Sequence, residues 1–472
     1  MQTECTQLEF EFQGLGKRRV VGKFDGGRIS TDGGGLLLRE IEKRTGILGR
    51  FAGCFTDNRD ERRIEHTIEE LVSQRVYGIA LGYEDIIDHE LLRRDWLMAT
   101  IVGKADPSGR DRKRKRDQGS ALAGKSTLNR AEILPVGGRG TDRYKKIGYE
   151  TEGIDRLLTD VYLEAHREAP EEIILDLDAT DDPLHGEQEG RFFHAYYGDY
   201  CYMPLYIFAG DHLLCARLRP SNIDASKGSE EEISRIVEQI RRRWPTVRII
   251  LRGDSGFTRE KLMSWCEGNG VDYVFGLSKN SRLVWQIRKQ MEKARRRYLR
   301  TGVASREFRD FMYRTLKSWS RKRRVVGKAE YLPKGANPRF VVTSLSKEEY
   351  EARVLYEEVY CGRGDMENRI KEQQLYLFAD RTSSHTMRAN QLRLYFSSIA
   401  YVLVNELRRV GLKGTELARG QVDTIRNKLM KIGVNVTMSV RRIRFAFSSG
   451  YPFQSIFAAA YRNITGSYPL RL

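Results

Sequence analysis

The sequence predicts an α/β core. Apolar runs of strand length lie at 173–178, 200–208, 213–218, 247–253 and 271–276, and helical patterns separate the last three. Aspartates close the first and fourth runs. At 472 residues the chain exceeds one ordinary core and is expected to form roughly two to four domains. A formal charge of +18 implies attraction to a polyanion, with nucleic acid as the leading partner. No run approaches the length of a membrane span; 395–407 is too short and too polar. The start, Met-Gln-Thr-Glu-Cys-Thr, lacks the basic and apolar regions of a secretory signal, so a cytoplasmic protein is expected. The six cysteines have no paired metal spacing and are read as reduced.

From the N-terminus, residues 1–25 read as a polar lead-in. The glycine-rich turn Ser30-Thr-Asp-Gly-Gly-Gly35 and helical patterns at 36–43, 61–78 and 84–94 follow. Residues 1–150 are therefore assigned to a mainly helical, DNA-binding region with a basic linker, whose run Arg112-Lys-Arg-Lys-Arg116 suits phosphates or is a solvated charge run. Between 165 and 280 the order is three strands, then helix (229–242), strand, helix (258–268) and strand. That β-β-β-α-β-α-β order is the order of an RNase H-like core. In this arrangement the first and fourth strands are neighbours, so Asp178 and Asp254 share one cleft.

Residues 281–355 are expected to leave the sheet as a β-rich insertion, with a basic helix at 281–300 and strands at 309–316, 323–331 and 339–345. The last catalytic helices are placed at 356–410. A basic C-terminal region, 411–472, holds a candidate helix at 421–431 and a strand at 435–447.

Three acids carry the chemistry. Hard divalent cations need carboxylate oxygens, and two such ions about 4 Å apart polarise a phosphoryl oxygen, activate the attacking oxygen and stabilise the leaving one. Asp178 would bridge the pair, with Asp254 and Glu367 completing either side. Each has a rival reading. Asp181 or Asp182 serves as cap or ligand in place of Asp178, and Asp176 shares its strand face. Asp254 suits the cap of a helix opening at Ser255-Gly256. Glu367 is surrounded by Glu357, Glu358, Asp365 and Glu372. Its stripe Tyr360, Arg363, Glu367, Lys371 and Gln374 reads either as a salt-bridged face or as a metal ligand flanked by phosphate-binding Arg363 and Lys371.

The chain resembles the DDE transposases of bacterial insertion sequences, in the group with a Tyr-x2-Arg-x3-Glu-x6-Lys signature. Tyr360, Arg363 and Glu367 match it; Gln374 stands where the lysine is expected, with Lys371 one turn earlier. Asp178-Ala-Thr180 matches the first aspartate's context. The stretches Asp178-Ala-Thr-Asp-Asp-Pro-Leu-His-Gly186, Arg248-Ile-Ile-Leu-Arg-Gly-Asp-Ser-Gly-Phe257 and Val271-Asp-Tyr-Val-Phe-Gly-Leu277 extend the likeness along one branch. The resemblance implies Mg²⁺ or Mn²⁺, cleavage at inverted-repeat ends, joining of the 3′-hydroxyl to target DNA, and a dimer holding two ends. It also implies an insertion tryptophan that holds a displaced base, for which Trp319 is the candidate. A nuclease or junction resolvase with the same core, or an inactive DNA-binding protein, are the alternatives.

Two further signals are set aside. Gly119-Ser-Ala-Leu-Ala-Gly-Lys-Ser126 satisfies a phosphate-loop pattern, but the basic run before it is no buried strand; Ser126 or Thr127 is read as opening a helix. Tyr196, Tyr197, Tyr200 and Tyr202, near His185 and His194, either stack on bases or fill the sheet.

Overall fold

The computed structural model describes residues 9–132 and 146–466. Cys5 and the stretch 133–145 of the expected N-terminal region lie outside them. The chain divides into two units. One runs through Gly148 and resumes at Ile399; the other is Tyr149–Ser398.

The second unit is built on a mixed sheet. Its strands are β1 (Glu172–Ala179), β2 (Leu205–Ala209), β3 (His212–Arg217), β4 (Arg248–Gly253), β5 (Asp272–Leu277), β6 (Ser305–Tyr313), β7 (Arg323–Leu332) and β8 (Arg339–Thr343). The spatial order is β3-β2-β1-β4-β5-β8-β7-β6, with Gly335–Ala336 on β7. β1, β4 and β5 are parallel; every other pairing is antiparallel.

Residues 281–355 therefore do not leave the sheet, contrary to expectation. β8 joins the free edge of β5, and β7 and β6 extend it further. This pairing saturates an edge that would otherwise present open backbone groups. The long basic helix is two helices, Ser281–Gln286 and Arg288–Thr301.

Strand alternation divides the core between the two faces of the sheet. Leu175, Leu177, Ile249, Leu251, Tyr273 and Phe275 pack on one side. There they meet α1 (Ser229–Arg243), whose Ile233, Ile236, Val237 and Ile240 recur at helical spacing. α1 also opens on Glu230–Glu232 and closes on Arg241–Arg243, which complements its dipole. On the opposite face Ile250, Val274, Val326 and Val341 pack against Leu355 and Tyr356. That second face is also the face of Asp176 and Asp178, so the segment reaching Glu367 lies over the side of the sheet that carries these acids.

In the first unit the lead-in is a hairpin, Glu9–Leu15 with Arg18–Lys23, exposed along Glu9–Leu15 and nearly so along Arg18–Lys23. The glycine-rich turn is a point of close approach. The Gly33 and Gly34 amides donate to the Ile432 and Met430 carbonyls, and a Cβ at Gly34 would fall 1.9 Å from the Leu429 oxygen. The expected C-terminal strand is itself a hairpin, Val434–Ser439 with Arg442–Phe447, and its first strand pairs with Ile29–Ser30. The N- and C-terminal regions thus share one unit. No helix among the described residues is long and apolar enough to cross a membrane.

Candidate active site

The sheet register brings the two aspartates together. In the parallel β1–β4 pair Asp176 faces Arg252 and Leu177 faces Gly253, so the next residue on each strand is Asp178 and Asp254. Adjacent strands lie about 4.8 Å apart, which spans the 76-residue separation. Asp254 leaves the strand in extended conformation and one of its oxygens accepts the Gly256 N–H at 2.8 Å. It is therefore a cap of the Ser255–Phe257 turn, pinned by the buried Phe257, while its other oxygen is not engaged by that bond.

Glu367 comes from α2 (Gly364–Lys371), which follows a π-helical turn, Leu355–Tyr360, and a tight turn, Cys361–Arg363. The Arg363 guanidinium links it to the strands: Nη2 lies 2.8 Å from Glu367 Oε1, and Nη1 lies 3.5 Å from Asp178 Oδ1. Burial, opposed by Arg363 and aided by the charges of Asp254 and Glu367, pushes the Asp178 carboxyl up to about 6. Burial works against the Arg363 charge, but Asp178, Glu367 and Asp254 outweigh it and hold its pKa above the usual value.

Tyr360 reaches the same place. A Cβ on Gly276 would fall 2.7 Å from the Tyr360 hydroxyl and 3.2 Å from the Asp254 carbonyl carbon, so the bare glycine on β5 lets the ring approach Asp254. Burial, with the charge of Asp254 adding, raises the Tyr360 phenol. A glycine within a strand is the one sequence signal of this close approach; Gly276 lies in the stretch 271–277, yet the sequence alone gives it no role.

Asp176 is occupied elsewhere. Its carboxylate is buried and paired with Arg252, whose Nη2 donates to Oδ2 at 2.8 Å and whose Nη1 donates to the Val359 carbonyl. Cross-strand pairing of an acid with an arginine explains why two aspartates on one strand face have different surroundings. Asp182 is also buried, and burial raises its carboxyl well above the ordinary range.

One expected DNA contact, Trp319, is placed in the core. Trp319 is 6% exposed and packs edge-on against Tyr313 in the core, with Arg323 across its ring. A ring enclosed in this way anchors the sheet extension and is not open to a base. Lys371 is exposed on α2 and forms no ion pair among the described residues. Gln374, in the position of the expected lysine, donates to the Asp181 carbonyl at 2.9 Å and ties the end of this helical segment to the loop after β1.

Among the described residues, no group of three or more histidine, cysteine or acidic side chains is arranged to hold an ion directly. The donor set nevertheless suits a hard cation. The Asp178 carboxyl feels the charges of Asp254 and Glu367, the Arg363 guanidinium pairs with both Asp178 and Glu367, and carboxylate oxygens are the donors a hard cation takes.

The first unit holds a separate cationic cavity of about 650 Å³, lined by Arg59, Arg63, Arg93, Arg114, Arg116 and Ser126, among others. Arg112 is nearly enclosed in its wall: Nη2 meets Glu65 at 3.1 Å and Nη1 lies 2.9 Å from His66 Nε2. The helix Lys125–Glu132 opens here, as expected. Its first amide donates to Glu90 at 2.8 Å, and it is preceded by irregular chain and not a strand, so a phosphate loop is not formed.

Comparison with known proteins gives one family. A model described as transposase DDE domain group 1 matches residues 12–468. Seven solved chains match. Among them is a cryo-EM structure of the piggyBac transposase synaptic complex with hairpin DNA, at 14% identity over 85% of this chain and 80% of that one, with a TM-score of 0.40. No curated protein matches.

Proposed function

The chain belongs to the transposase DDE domain group 1 family, and from that premise we propose that it cleaves DNA at the terminal inverted repeats of an insertion sequence and joins the freed 3′-hydroxyls to target DNA. The observation that carries this reading is the β1–β4 register, which sets Asp178 beside Asp254 at the carboxyl ends of parallel strands, with Arg363 paired to both Asp178 and Glu367. The strand order β3-β2-β1-β4-β5 supports an RNase H-like core.

In this reading Asp178, Asp254 and Glu367 would hold Mg²⁺, or Mn²⁺ in its place. When bound, the divalent ions supply Lewis-acid polarisation of the phosphoryl oxygen and a nucleophilic oxygen at neutral pH. Asp178, whose carboxyl feels the charges of both Asp254 and Glu367, would serve as a ligand together with them. Arg363 moves from the acids to the scissile phosphate, where its planar fork matches two oxygens. Tyr360 orients that phosphate from the Asp254 side. The cationic cavity of the first unit binds duplex backbone, and a dimer brings two ends together.

Transfer and hydrolysis are separated by one experiment. Purified protein is incubated with a labelled inverted-repeat end, plasmid target and Mg²⁺. Covalent joining of label to plasmid is the expected result; cleaved label without joining would make the protein a nuclease.

A further inference from the structure

The chain leaving β1 builds a small sheet that none of the roles above uses. Asp199–Tyr202 pairs on one side with Asp182–Pro183 and on the other with Phe192–His194. Cys201 and Tyr202 face inward and are buried. Phe192, Phe193, Tyr196 and Tyr200 are 41, 57, 85 and 40% exposed. The tyrosines of this stretch thus divide: Tyr202 fills the sheet, Tyr197 is half-buried, and Tyr196 and Tyr200 lie at the surface.

This surface adjoins the acids. The Tyr197 hydroxyl approaches the Ala179 carbonyl at 3.5 Å, and besides its burial the phenol feels the charges of Asp181, Asp178 and Asp254. Tyr196 packs edge-on against Tyr197 with ring centroids 5.0 Å apart, and Phe193 packs against Tyr200 at 5.6 Å. The Arg191 guanidinium lies 3.8 Å over the Tyr200 ring.

An exposed cluster of large rings marks a binding surface. Nucleobases are the occupant that this setting favours. The Asp178 side chain is 19% exposed, so a phosphate reaches it only where a strand leaves its regular helical path, and a strand doing so unstacks its neighbouring bases. Flat rings beside that point offer replacement stacking, which every base accepts. Arg191 adds a cation for the adjoining backbone. Trp319, enclosed in the core, offers none of this.

We propose that Phe193 and Tyr196 stack on unpaired bases of the DNA strand whose phosphate is held at Asp178, with Tyr200 and Arg191 as the edge of the platform. The proposal rests on the DNA-cleaving role given to Asp178.

The test uses the full-length protein and two end duplexes carrying 2-aminopurine near the terminus, one fully paired and one forked by a few unpaired nucleotides. Wild-type protein should bind the forked duplex more tightly and change the probe's fluorescence. Phe193→Ala with Tyr196→Ala should weaken forked-duplex binding about tenfold, the scale of one good stack, abolish the fluorescence change, and leave paired-duplex binding alone. Phe193→Tyr with Tyr196→Phe keeps both rings and should restore both signals; the single change Tyr196→Ala, at the most exposed ring, serves if the double variant misfolds. An unaltered preference for forked DNA in the alanine variants overturns the proposal. So does loss of DNA-free self-association in sedimentation with the fluorescence change intact, which would make the patch a protein interface. Asp178→Asn separates this proposal from the catalytic one: it should keep the fluorescence change while losing cleavage. Normal cleavage by Asp178→Asn would refute the role of the acid and not the stacking.

Discussion

The Arg363 guanidinium lies 2.8 Å from Glu367 one helical turn away, while its other nitrogen faces Asp178 at 3.5 Å. One side chain thus neutralises two of the proposed metal ligands. Arg363→Gln should lower stability without divalent ion by about 1 kcal/mol, since the part-buried acids then repel without a counter-charge. Mg²⁺ should restore more stability to this variant than to wild type. Thermal melts with and without Mg²⁺ check this; equal stabilisation of both proteins would mean that the arginine and the ion do not share a site.

Asp178 makes stability depend on pH in a defined direction. Its carboxyl titrates near 6 when folded, above the ordinary 3.8. The native state therefore binds the proton more tightly. The resulting stabilisation is complete below about pH 4 and is lost as pH rises through 6. Asp178→Asn should raise stability at pH 7 by about 1–3 kcal/mol and change little at pH 4. Urea unfolding at the two pH values measures it, and a gain of equal size at both would contradict the assignment.

The Asp176–Arg252 pair is structural in this account. Arg252→Met leaves a buried carboxylate without its cation and should cost about 3–5 kcal/mol in urea unfolding. A loss below about 1 kcal/mol would show that the pair does not hold β1 to β4.

Much of this core is legible in the sequence because its strands are short apolar runs whose order limits the topology. The parity of β1 is readable too: Leu175 and Leu177 on one face require Asp176 and Asp178 on the other. What distinguishes those two aspartates is not readable, because Arg252 becomes a partner only through a register set 76 residues away. The same limit applies to β8, whose pairing with β5 is non-local and turns an expected insertion into an extension of the sheet. The Glu9–Lys23 hairpin is missed although Glu9-Phe-Glu-Phe12 alternates, because that alternation is short and neither strand buries a face. Trp319 sits in a polar sequence neighbourhood, Lys317 and Arg321–Arg324, which points to a surface, whereas its ring enters the core.

The arginine-lined cavity of the first unit should act through phosphates. Arg114→Gln with Arg116→Gln should weaken binding to duplexes of any sequence. It should also reduce the slope of log affinity against log salt by about 1–2, since each phosphate that is no longer neutralised removes roughly 0.9 from it. Titrations between low and moderate salt check this. An unchanged slope would remove the cavity from the DNA path.

The three acids stand or fall together in a single cleavage assay. Wild-type protein and the variants Asp178→Asn, Asp254→Asn and Glu367→Gln are each incubated with Mg²⁺ and a labelled inverted-repeat end, after end binding has been confirmed. Each variant should bind the end within about threefold of wild type and cut it at least about a hundredfold more slowly, the scale of losing an electrostatic element of the transition state. Cutting at the wild-type rate by any one of them would contradict the shared site that the β1–β4 register and Arg363 bring together.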